Sequence, residues 1–118
     1  MADATAEFFD QMQSRGYEPL LDNITGTVRL ELENGKDLER WLVSVDKGDV
    51  EVSHRNVKAD CTVRTHKTHF DKLVKGEANA MASLLRGTLA IDGNYELLVR
   101  FQRLFPSPHN EAETKEAR

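Results

Sequence analysis

Cysteine, proline, tryptophan and tyrosine are scarce in this chain of 118 residues, which has one Cys, three Pro, one Trp and two Tyr. The lone Cys61 has no partner for an internal disulfide, a composition that suits a reducing compartment, and a cytoplasmic location is the expectation. No apolar run approaches the roughly 18 to 20 residues that span a bilayer. "MADATAEFF" lacks the basic segment and long apolar stretch of a secretory signal. An excess of positive charge is also missing, because 16 Lys and Arg stand against 20 Asp and Glu, for a net charge of −4. Nucleic acid is therefore not an expected partner, since binding to it rests on clustered cations. Arg86, Arg100 and Arg103 are the exception considered, and they raise the expectation of transient contact with a membrane surface. Gly35, Gly48, Gly87 and Gly93 are isolated turn glycines, not a phosphate-cradling loop. His66 and His69 lack a third ligand, and His54 and His109 stand alone, so neither metal nor cofactor is expected.

What the chain does contain is the mixture of a folded domain, with 39% hydrophobic and 31% charged residues in a length that supports one core. A first helix should run from Asp3 or Thr5 to Gly16, with Phe8, Phe9 and Met12 on its apolar side. The period then changes. In "ITGTVRLELE", Ile24, Gly26, Val28, Leu30 and Leu32 alternate with polar residues, as in a strand with one buried face. Asn34-Gly35 signals a hairpin into "LERWLVSVD", which turns Trp41, Val43 and Val45 inward and leaves Leu42 on the other side. "DKGD" leads to a third strand carrying Val50 and Val52, and "DCTVRT" reads as a fourth with Cys61 and Val63 inward.

Two short helices follow. Thr68 is the expected cap of the first, with Asp71 as its capping-box partner; Phe70, Leu73 and Val74 form its apolar edge and Gly76 ends it. Asn79 caps the second, which carries Met81, Leu84 and Leu85 and stops at Gly87. "TLAIDG" is a fifth strand, and Asn94 opens a last helix over "YELLVRFQRLF" with Leu97, Leu98, Phe101, Leu104 and Phe105 on one stripe. The expected fold is α+β: a five-stranded, mainly antiparallel sheet with one wet face and one face covered by about four helices. Five strands make a face roughly 24 Å wide, enough for two or three helices, so at least one pair must sit higher or splay at the rim, and a splayed layer can enclose apolar volume.

From "ADCTVRT" through "FDKLVKGEANAMASLLRGTLAIDGN" to "YELLVRFQRLF" the chain resembles the sterol carrier protein type-2 (SCP2) family, well over 59–105 and more loosely before that. The resemblance implies an apolar tunnel between sheet and helices that takes fatty acids, fatty acyl chains or sterols. The prolines of "LFPSP" stop the last helix and "HNEAETKEAR" has little apolar surface to bury, so a domain over 1–106 followed by a polar, flexible tail over 107–118 is expected, a departure from members whose last helix closes the chain. The Ser-Lys-Leu-like peroxisomal address of many eukaryotic members is replaced by "EAR". The expected tunnel lining is Val28 and Trp41 from the sheet with Leu73, Met81, Leu84, Leu85, Leu98, Phe101 and Phe105 from the helices. The expected function is non-catalytic carriage or storage of such a molecule by a monomer or homodimer. Two alternatives stand beside it: a dimerisation or partner-docking module with a filled core, and a steroid-isomerase-like enzyme. The enzyme would need an acid or tyrosine aimed inward, and the inward strand positions contain no acid.

Overall fold

A computed structural model of the chain describes residues 3–105, so the expected boundary at 106 and the tail over 107–118 lie outside the described residues. At the centre is strand β1 (Thr25–Asn34). Its Val28, Leu30 and Leu32 are buried on one face, as a two-residue period demands. Gly35 and Lys36 form the turn, one residue later than expected, and Asn34 pairs with Asp37 at the start of β2 (Asp37–Asp46). Lys47 and Gly48, both with positive φ, turn the chain into β3 (Asp49–Ser53). From that outer strand the chain returns across the sheet to β4 (Cys61–His66), which lies parallel to β1 with Cys61 opposite Val28. A short β5 (Ala90–Gly93) completes the order β3-β2-β1-β4-β5. The sheet is thus mainly antiparallel with one parallel pair, and that pair is what forces the long crossing connection.

Helix α1 (Ala4–Arg15) is capped by Asp3, whose side chain accepts from the Ala6 N–H, and ends at the left-handed Gly16. It lies along the outer edge of β3, where the Val50 N–H donates to the Gly16 carbonyl and the Val52 N–H to Gln13 Oε1. A 3-10 turn at Pro19–Leu21, absent from the sequence reading, carries Leu21 into the core. Helix α2 (Lys67–Val74) begins directly where β4 ends, with His66 at the cap position and no side-chain cap. Thr68 is therefore inside the first turn, and Asp71 is no capping-box partner. Instead Asp71 accepts from the Thr5 N–H and hydroxyl, fastening α2 to the start of α1. Helix α3 (Ala80–Arg86) is capped by Asn79 and closed by Gly87 as expected. Helix α4 (Tyr95–Phe101) starts at Asn94 but passes at Gln102–Leu104 into a 3-10 turn, so the eleven-residue α-helix is not formed.

The far side of the sheet is less wet than its alternation suggests. Leu42 is 2% exposed there. The β3–β4 connection lies on that side, where Arg29 Nη1 donates to the Val57 carbonyl at 3.0 Å. Glu31 is buried on the same face among Arg29, Arg40 and Arg64.

Candidate ligand-binding interior

The floor of the interior is the row of inward strand positions, Val28, Leu30, Leu32, Trp41, Val43, Val45 and Val63 among them. Its roof is aromatic. Phe9 stacks on Trp41 with ring centres 4.4 Å apart, and Phe70 stacks on Phe9 at 5.7 Å. Phe105 meets Phe70 edge-on at 5.6 Å and Phe101 at 5.8 Å, while Phe8 sets its edge against Phe9 and Phe70. The five phenylalanines and the tryptophan thus make one cluster, in the offset and edge-on arrangements that aromatic quadrupoles favour. Trp41 keeps its ring inside by donating its indole N–H to Glu39 Oε2 at 2.6 Å.

Burial, reinforced by the nearby carboxylate of Asp92, pushes the Cys61 thiol up to about 11, so it remains a neutral filler. Thr65 satisfies its hydroxyl on the Thr88 carbonyl at 2.9 Å, and the buried carboxylate of Glu31 belongs to the far face. His69 Nε2 is 2.6 Å from Ser83 Oγ, and the Ser83 hydroxyl itself donates to the Asn79 carbonyl at 2.7 Å. Desolvation, then the charges of Lys72, Arg86 and His66, hold the His69 pKa below its ordinary value. The imidazole is thus neutral near pH 7, with its Nε2–H donating to Ser83.

Of the expected lining, Val28, Trp41, Leu73, Leu98 and Phe101 come together as buried core. Leu84 and Phe105 are half-buried and pack against that core, and Met81 is half-buried on α3. Leu85 is misplaced by the sequence reading: it is 87% exposed. The reason is local. The His69–Ser83–Asn79 hydrogen bonds fix the roll of α3 so that Ala80 and Ser83 face inward, and Leu85 is carried to the outside. Sequence reasoning left Phe8, Phe9, Phe70 and Leu104 out of the lining, although their helical spacing had placed them on apolar edges. The described interior is close-packed, with Phe9, Phe70, Leu73, Leu98 and Phe101 at 2% exposure or less. The larger concavities described are open grooves on the outside. One of about 420 Å³ lies over Gly26, Asp46, Glu51 and Asp60, and one of about 290 Å³ over Arg29, Glu31, Arg64 and Asp92. The loosest part of the interior is its rim, where Phe8, Val74, Leu84, Leu104 and Phe105 are only partly covered.

Residues 6–106 match the model of the SCP-2 sterol transfer family. The chain belongs to that family. Among curated relatives, "Sterol carrier protein 2" of Homo sapiens is 34% identical over 71 residues, which are 59% of this chain and 13% of the relative. The chain therefore corresponds to a small part of that longer protein. Two solved structures share the fold. The sterol carrier protein domain 2 of Helicoverpa armigera superposes with a TM-score of 0.69 at 19% identity, over 86% of this chain and 84% of its own. The palmitated SCP2L2 of Aedes aegypti gives 0.65 at 14% identity, over 86% and 95%. The family accounts for the mixed five-stranded sheet under four helices, and no helix among the described residues is long and apolar enough to cross a membrane.

Proposed function

We propose that this protein carries or stores one lipid-like apolar molecule, a fatty acid, fatty acyl chain or sterol, in a tunnel between sheet and helices, without catalysing its conversion. The observation that carries this reading is the continuous aromatic and aliphatic interior with its partly covered rim, in a chain of the sterol transfer family. The palmitated state of the Aedes aegypti relative supports it by analogy. The guest enters at the rim, where Phe8, Leu84, Leu104 and Phe105 are only partly covered, and these side chains swing aside to open the way inward. Burying about a dozen methylenes gains ~10 kcal/mol, and immobilising the guest removes several, which leaves a dissociation constant in the micromolar range. Such a site selects on length and width more than on the head group.

The test is uptake of a fluorescent acyl probe by purified protein, together with gentle mass spectrometry of freshly purified material for co-purified lipid. Leu84→Trp should fill the rim and abolish uptake with the domain still folded. Leu85→Trp, on the exposed side of α3, should leave uptake unchanged. Full uptake by the Leu84 variant, or failure of the parent protein to take up probe at all, would remove the tunnel.

A further inference from the structure

Helix α1 is fastened by different means at its two ends. At the C-terminal end it is tied to the sheet: the Val50 N–H donates to the Gly16 carbonyl at 2.9 Å and the Val52 N–H to Gln13 Oε1, and Gly16 stands at φ +70°. At the N-terminal end its polar ties run to side chains of α2. Lys67 Nζ donates to Asp3 Oδ1 at 2.7 Å and faces Asp71 Oδ1 at 3.6 Å, while Asp71 Oδ1 accepts from both the N–H and the hydroxyl of Thr5. This knot is enclosed, with Thr5 fully buried and the Lys67 side chain only 13% exposed. The hydrogen bond from Lys67, against the opposing effect of burial, holds the Asp3 carboxyl below its ordinary range, so the pair is charged. From Ala6 to Met12, no side chain of α1 is hydrogen-bonded or ion-paired to another element among the described residues. That stretch is held by packing: Phe9 stacks on Trp41 and Phe70, and Phe8 sets its edge against Phe70. On the outside, α1 and α2 already part into a groove of about 160 Å³ over Glu7, Phe8, Gln11, Val74 and Lys75.

We propose that α1 is the gate of the interior, hinged at Gly16 and latched through Asp3 and Thr5 to Lys67 and Asp71, and that this latch sets how fast a guest is exchanged. The proposal rests on the carrier reading for what passes, and on the fastening of α1 for where it passes. A glycine in the left-handed region can absorb the change in backbone angle that a swinging helix requires. The latch lies one helical turn from two rim side chains, Phe8 beyond Thr5 and Val74 beyond Asp71, so release at the latch parts them along the groove already present. Polar groups suit this place because water takes them up once they separate. Opening then costs only the modest net worth of a few hydrogen bonds. The latch closes over the empty and the loaded interior alike, so weakening it speeds entry and exit together and leaves the affinity where it was.

Thiol labelling tests the gate with no guest present. Met12 is buried on the inner side of α1 near the hinge, so in a Met12→Cys variant the new thiol reacts when the helix lifts, not when its first turn frays. Adding Thr5→Val or Lys67→Met should speed that labelling about fivefold. Thr5→Ser, which keeps the hydroxyl, should match the parent. Glu31→Gln loosens the sheet from its far face, and should speed labelling of the buried Cys61 but not of the thiol on α1. Stopped-flow exchange of a fluorescent acyl probe, on proteins that retain Met12, is the second measurement. Thr5→Val and Lys67→Met should each raise the uptake and release rates about fivefold with Kd held within about twofold, and Glu31→Gln should move neither rate. Labelling of the α1 thiol that stays unchanged in the latch variants, or that rises equally with Glu31→Gln, would overturn the proposal. So would unchanged probe exchange in variants whose labelling has risen. If the parent takes up no probe, the carrier reading fails, and the labelling still decides whether α1 opens at this latch.

Discussion

Glu31 shows how one residue can hold three strands. Its register neighbours are Arg40 on β2 and Arg64 on β4, and Arg29 is two positions back on β1. Its Oε1 accepts from both Nε and Nη2 of Arg64, and Oε2 faces Arg29 Nε at 3.3 Å and Arg40 Nε at 3.6 Å. The hydrogen bond from Arg64, helped by the three guanidinium charges against the opposing effect of burial, holds the carboxyl below its ordinary range. On acidification the unfolded chain takes up this proton before the folded one does, so stability is lost as pH falls below the ordinary carboxylate range. Glu31→Gln should cost about 2 kcal/mol at neutral pH. Melting curves from pH 7 down to about 3 should show the gap between variant and parent closing. Alternation had put Glu31 on the far face. Its partners were not legible, because Arg64 reaches it only through the parallel pairing of β1 with β4, which no local spacing encodes.

Among the elements, those with a local chemical signal were legible and those set by contact were not. Asp3, Asn79 and Asn94 cap their helices through their own side chains, and the strands keep their alternation. The start of α2 was misread because Asp71 is engaged 66 residues away by Thr5, and the roll of α3 because Ser83 is engaged by His69. For β5 the decisive residue is Gly93, at φ +105°, where an added Cβ would stand 2.3 Å from the Asp60 carbonyl oxygen. The Asn94 N–H donates to that same carbonyl at 2.8 Å. Gly93→Ala should therefore loosen both β5 and the start of α4, lowering stability by about 2 kcal/mol or more. Denaturant titration would measure the loss. Hydrogen exchange should place it at 90–98 rather than in the β1–β2 hairpin. Asn79→Ala removes only one cap and should cost about 1 kcal/mol, read by the same titration.

At the scale of the whole molecule, fold class, strand count and the residues that make the interior followed from periodicity, and the family followed from 59–105. The tunnel rested on the number of helices over the sheet and on the family resemblance, and the aromatic cluster that lines the space between them is not revealed by spacing along single helices. How the outer strand ends has one more consequence. With the Val50 and Val52 N–H groups already committed to Gly16 and Gln13, the long rim of the sheet offers a neighbouring molecule no free ladder of donors, and the opposite rim is only the four residues of β5. Concentrated solutions should accordingly resist fibril growth by strand addition. Gln13→Ala, by releasing the Val52 donor, should be the substitution that first brings a rise in thioflavin fluorescence.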